Sequence, residues 1–120
     1  MQTRFRKSDV RFDVADGHLV RTVTAADGRS YVHRCSRDVY ESVAHAMQSV
    51  GPDGATVDTL AVALDAPYTQ VNVALEFLKE RGCVETRHRR NHPASDIVFE
   101  DAMIEFCALA DAKLAEEPGL

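Results

Sequence analysis

Thr56-Val57-Asp58-Thr59-Leu60-Ala61-Val62-Ala63-Leu64-Asp65-Ala66-Pro67-Tyr68-Thr69-Gln70-Val71 is the stretch on which the architecture turns. Thr56 is a good helix N-cap, because its side-chain oxygen can accept from an otherwise unpaired backbone N–H. Leu60, Ala61 and Leu64 then recur at helical spacing. Asp65-Ala66-Pro67 breaks that short helix, and Pro67, whose φ is already fixed near the helical value, suits the first turn of the next. The second helix buries Val71, Ala74, Leu75 and Leu78 and stops at Gly82. Two helices crossing at so tight a turn enclose a compact core, with Ala61 small enough for close approach.

Upstream, Ser36 caps a longer helix with Asp38 and Glu41 near its positive end. Its apolar positions are Val39, Tyr40, Val43, Ala44, Met47 and Val50, and Gly51-Pro52 ends it. Further upstream, Asp16-Gly17 and Asp27-Gly28 sit between runs rich in Val, Thr and Tyr, which predicts a three-stranded meander. Two-residue loops at both sites would pair Val14 with Leu19, Phe12 with Arg21, Val10 with Val23 and Val23 with Val32. Val10, Phe12, Val14, Leu19, Val23 and Val32 then form one core face. The same register opposes Arg21 to Arg34, which costs energy unless a carboxylate or phosphate is near. Either the register slips or those arginines lie beyond the packed area. Downstream come an extended run over residues 83–90, a turn over 91–95, a second extended run over 96–100 and a final helix over about 101–117. That helix carries Met103, Phe106, Cys107, Ala110 and Leu114 on one stripe, a candidate seam for a two-fold dimer.

The order short helix, tight turn, second helix, Gly and basic hairpin resembles the winged helix-turn-helix family over about residues 55–100. The quoted stretch is similar to the family's "T-v-x-x-L-A-x-x-L-x-x-P-x-x-x-V" half. Residues 74–85 (Ala-Leu-Glu-Phe-Leu-Lys-Glu-Arg-Gly-Cys-Val-Glu) resemble the end of its recognition helix entering the wing. Asp65 stands where the inter-helix turn often has Gly, and the recognition helix lacks the usual exposed arginines. The resemblance implies a DNA-binding transcription regulator with a recognition helix at about 67–81 and a basic wing at 87–92. Tyr68, Thr69, Gln70, Asn72 and Val73 are its candidate base-reading residues. Gln and Asn can pair bidentately with adenine, and Thr and Val can touch a thymine methyl. The plainer reading of the same residues is a solvated helix start, and Glu76, one turn beyond Asn72, would repel phosphates. In the wing, Arg87, Arg89, Arg90 and His92 are candidate phosphate contacts. Strand alternation separates Arg87 and Arg89 from His88 and Arg90, and a charged hairpin also guards an edge against pairing.

Charge divides unevenly. The chain of 120 residues is net −5, yet its first 35 residues are net +3. Residues 36–82 and 101–120 are each net −4, and residues 83–100 are balanced. The footprint of positive charge, rather than the total, governs phosphate contact. At 13.3 kDa and 45% apolar, the chain has room for one core and none for an enzyme with its own cofactor domain. No apolar run approaches the roughly 18 residues of a membrane span, and residues 1–7 lack a signal-peptide core. Cys35, Cys83 and Cys107 are odd in number and widely spaced, which predicts reduced thiols in a cytoplasm. His33, Cys35, Cys83, His88 and His92 are ligand types for zinc, but their spacing matches no closed zinc pattern. His45, four residues after Glu41, reads as an ionic pair and not as catalytic machinery.

The sequence thus predicts an α+β domain: a β-meander over residues 1–35, a winged helix-turn-helix over 36–100 and a C-terminal helix over 101–120. The expected partners are double-stranded DNA and a second copy of the chain, with no membrane, cofactor, metal or enzymatic activity. The rival expectation, from the acidic recognition-helix region, is a winged helix used as a protein-interaction module without DNA binding.

Overall fold

The computed structural model describes residues 9–116, and side chains through residue 112. The basic Arg4, Arg6 and Lys7 and the side chain of Leu114 therefore lie outside the described residues. The chain is mixed α+β: β1 (Asp9–Ala15), β2 (His18–Thr24), β3 (Ser30–Cys35), α1 (Arg37–Gln48), α2 (Val57–Leu64), α3 (Tyr68–Glu80), β4 (Val84–Arg87), β5 (Arg90–Pro93) and α4 (Val98–Glu116). β1, β2 and β3 form one antiparallel sheet in that order, and β4 and β5 form a separate hairpin.

The first hairpin has the expected register, with Val14 opposite Leu19, Phe12 opposite Arg21 and Val10 opposite Val23. Its loop is Asp16-Gly17, with φ of 53° and 77°, the two left-handed residues of a type I′ turn. The second hairpin departs from the expectation by one residue. The Ala25 carbonyl accepts from Gly28 N–H at 2.9 Å, and Ala25 N–H donates to the Arg29 carbonyl at 2.7 Å. Gly28 sits at φ 91°. These bonds close a three-residue loop in which a turn is followed by a left-handed glycine. Asp27 reinforces it by accepting from Arg29 N–H at 3.0 Å. One extra loop residue turns every side chain of β3 over. Val23 therefore faces Tyr31, Arg21 faces His33 and Leu19 faces Cys35. The Arg21–Arg34 opposition disappears, Cys35 enters the core, and Val32 turns out to be half exposed.

Ser36 caps α1 by accepting from Val39 N–H at 3.1 Å, and Thr56 and Thr59 form a reciprocal capping box on α2. Asp65 ends α2 at φ 50°, in the left-handed conformation that Asp tolerates in place of Gly. α3 ends where Gly82, at φ 77°, lets Cys83 N–H reach back to the Leu78 carbonyl at 2.9 Å.

The β4–β5 hairpin is shorter than expected. Arg87 pairs with Arg90, so the turn is His88-Arg89, and residues 91–93 continue the strand instead of turning. Asn91 and His92 look like turn residues by composition, but they have tertiary partners. Asn91 exchanges backbone hydrogen bonds with Ala55 at 2.8 and 2.9 Å, and its side-chain amide also donates to the Ala55 carbonyl. The extended run expected over 96–100 is instead a turn at residues 96–97 and the start of α4, which begins at Val98.

One face of the sheet closes over α1, α3 and α4. Phe12 meets Phe77 with ring centroids 5.2 Å apart, and Tyr40 lies between Phe77 and Phe106. The Tyr40 hydroxyl donates to the Ala102 carbonyl at 2.6 Å, satisfying the polar end of a buried ring. The stripe of α4 expected at a dimer seam folds back instead: Phe106 is buried, and Met103 and Ala110 pack against the same core. Cys107 alone among its described members is exposed.

Candidate functional site

The start of α3 and the β4–β5 hairpin hold every residue expected to touch DNA, and the fold treats them unequally. Tyr68 and Thr69 are exposed at the helix start, and Asn72 is half-buried on the next turn. Gln70 is committed elsewhere. Its Oε1 accepts from Ser36 N–H at 2.9 Å, tying α3 to the junction of β3 and α1. Val73 is 0% exposed, packed in the hydrophobic core one helical turn before Phe77, which meets Phe12 of β1. A valine so placed cannot read a base while the sheet stays in position.

Glu76 is held by the same sheet. Arg21 Nη1 on β2 donates to Glu76 Oε1 at 2.9 Å, and Arg21 Nη2 lies 3.1 Å from His33 Nδ1. Because a guanidinium only donates, His33 Nδ1 is the acceptor here. Arg21 is buried and its Nε has no partner among the described residues. So the arginine that the sequence opposed to Arg34 instead spans from β2 to α3, and the carboxylate that would have repelled phosphate neutralises it.

In the hairpin, Arg87 is exposed beside Glu85 at 3.4 Å, and His88 and Arg89 form the exposed tip. Both tip residues are left-handed, at φ 51° and 67°, although Asn-Gly would sit there with less strain. Arg90 turns inward and donates from Nε to the Asp53 carbonyl. His92 is buried and lies against Gly54: a Cβ on Gly54 would come within 2.7 Å of the imidazole, so that glycine is needed for close approach. His92 is therefore a packing residue and not a phosphate contact at the tip.

The charge between the two regions is negative. From Ala55 through Leu78 the chain has no Lys or Arg, but it has Asp58, Asp65 and Glu76. The exposed tip cations are thus not continued by cationic side chains along α2 or along α3 before Lys79 in its last turn. What α2 does offer is an open surface face of Asp58, Thr59, Val62 and Ala63, all exposed. Val62 is 83% exposed, which the sequence signals only by its position off the Leu60, Ala61, Leu64 stripe.

The other candidates are structural. Burial pushes the Cys35 thiol up to about 12 and the Cys83 thiol up to about 11, so both resist becoming the thiolate that metal binding or nucleophilic attack requires. Among the described residues no three His, Cys, Asp or Glu side chains converge as a metal-holding group. Glu41 pairs with Arg37 at 2.9 Å and not with His45, whose ring stacks on Phe99 at 3.8 Å. No described helix is long and apolar enough to cross a membrane. Comparison with protein-family models, with curated proteins and with solved structures found no match to this chain.

Proposed function

We propose that this chain is a winged helix-turn-helix domain that works as a protein-interaction module and does not read DNA sequence. The observation that carries this reading is the covering of α3: Val73 is buried, Gln70 is spent on Ser36, and Glu76 is paired with Arg21. The absence of any cation from Ala55 through Leu78 supports it, because phosphate neutralisation supplies most of the affinity of DNA binders. Exposed Val62, beside Asp58, Thr59 and Ala63 on the open face of α2, offers that helix as the surface for a partner.

One observation favours the DNA reading: two bulky cation-capable side chains, His88 and Arg89, are held at a strained, exposed tip. A titration separates the readings. The chain is mixed with a pool of random-sequence duplexes, and with single duplexes drawn from it, at two salt concentrations. The interaction reading expects any binding to be weak, indifferent to sequence, and removed by salt or by Arg89→Ala with Arg90→Ala. A duplex preferred over its scrambled version, with the preference at one base pair relaxed in Gln70→Ala by roughly 1–3 kcal/mol, would overturn it. As a positive check, a photo-crosslinking side chain at position 62 should give protein adducts in cells, and the same group at position 73 should give none.

A further inference from the structure

The edge of β3 presents an unmatched backbone together with two adjacent exposed apolar side chains, whereas the other edge, β1, exposes Val10 alone among its described large apolar residues. Among the described residues, strand β3 is hydrogen-bonded on one side only, to β2. Tyr31 and Val32 on it are 54% and 50% exposed, and Ser30 and Arg34 are exposed as well. The bonding pattern tells which groups face outward. The Ala25–Arg29 backbone bond marks a hydrogen-bonded pair, and such pairs alternate along an antiparallel ladder. The β2–β3 register then makes Val23–Tyr31, Arg21–His33 and Leu19–Cys35 the bonded pairs. Ser30, Val32 and Arg34 therefore direct their N–H and C=O groups away from β2. Ser36, next in this series, follows the rule, since its N–H leaves the sheet to meet Gln70.

We propose that β3 pairs antiparallel with β3 of a second copy of this chain, with Val32 on the two-fold axis. Unpaired edge groups call for an extended backbone as partner. The side chains choose this strand itself. Centred on Val32, the register places Val32 against Val32, Ser30 against Arg34 and Tyr31 against His33. It brings all three outward-facing residues of each copy into bonded pairs. The Tyr31 and His33 rings, already edge to face with centroids 5.4 Å apart, meet the same pair from the second copy. No like charges stand directly opposite. A register centred on Arg34 would oppose two guanidinium groups, which disfavours it. The result is a single sheet built from both copies, isologous as a two-fold contact requires. The pairing does not depend on whether the domain meets protein or DNA.

The test uses the full chain and three variants. Sedimentation over a concentration series should show a reversible dimer for the wild type. Val32→Pro removes an outward N–H without touching the β2–β3 ladder, so far-ultraviolet circular dichroism should be unchanged. Its dimer dissociation constant should rise at least about tenfold. Val32→Cys with Cys107→Ser should form a disulfide between two chains on mild oxidation, because bonded antiparallel partners have Cα atoms about 5.5 Å apart, within disulfide range. This second variant decides the matter if Val32→Pro does not fold. A wild-type monomer at high micromolar concentration overturns the proposal. So does a dimer that survives Val32→Pro and is lost in Ile104→Asp on α4, or a Val32→Cys dimer that does not cross-link.

Discussion

At the scale of single residues, Leu75 shows what the buried centre is worth. It is 1% exposed in the core between α2 and α3. Leu75→Ala should cost roughly 2–5 kcal/mol in chemical denaturation through the cavity it leaves, against a typical total of about 5–15 kcal/mol. An unchanged midpoint would mean that the helix pair is packed some other way. Arg21 and Glu76 give a second expectation. Glu76→Ala strands a buried guanidinium and should destabilise by about 1–3 kcal/mol. Adding Arg21→Met should restore much of that loss, since the pair's worth lies mainly in not being half removed. The thiols of Cys35 and Cys83 set a pH dependence. Their folded-state values, about 12 and about 11, lie above the ordinary 9.0, so the folded chain holds protons that the unfolded chain releases. Stability from this source is complete below pH about 9 and declines as pH rises toward 11 and 12. Cys83→Ala should lessen that alkaline decline and leave the part due to Cys35, read as denaturation midpoints between pH 8 and 11; an equally steep decline would assign it to other groups.

At the scale of elements, caps and periodicity were legible and loop lengths were not. Ser36, Thr56 and Gly82 mark helix ends, because the group that satisfies a helix terminus is local, whereas Pro67 stands one residue before the first turn of α3 and makes no capping hydrogen bond. The first hairpin was legible for the same reason: Asp16-Gly17 is itself the whole turn. At Asp27-Gly28 the same dipeptide belongs to a longer loop, and what lengthens it is a set of hydrogen bonds from Ala25 and Asp27 that no two-residue signature carries. His88-Arg89 carries no Asn-Gly or Asp-Gly turn signature, and Asn91-His92 has turn composition although its partners, Ala55 and Gly54, are far away in sequence. The tip can be relaxed by design. His88→Asn with Arg89→Gly supplies the residues a type I′ turn prefers and should raise stability by about 1 kcal/mol in thermal melts. A loss of stability would show that the tip is not strained as its φ values indicate.

At the scale of the molecule, the candidate site was readable in its residue types but not in their accessibility. Tyr68, Thr69 and the tip arginine face solvent as expected, whereas Gln70, Val73 and His92 do not. For Gln70 and Glu76 on α3 the difference comes from the N-terminal sheet and its junction with α1, whose strands are recognisable in the sequence while their docking against α3 is not; His92 is covered instead by the turn at Gly54. That docking is what turns a recognition-helix pattern into a core helix, so it is the claim to test first. In a Cys107→Ser background, single cysteines at Thr69 and at Val73 are labelled with a maleimide under native conditions. Thr69→Cys should react at nearly the rate of a free peptide thiol. Val73→Cys should react at least about a hundredfold more slowly, since labelling must await an opening of the sheet. Equal rates at the two positions would contradict the covered helix and return α3 to the role of a DNA reader.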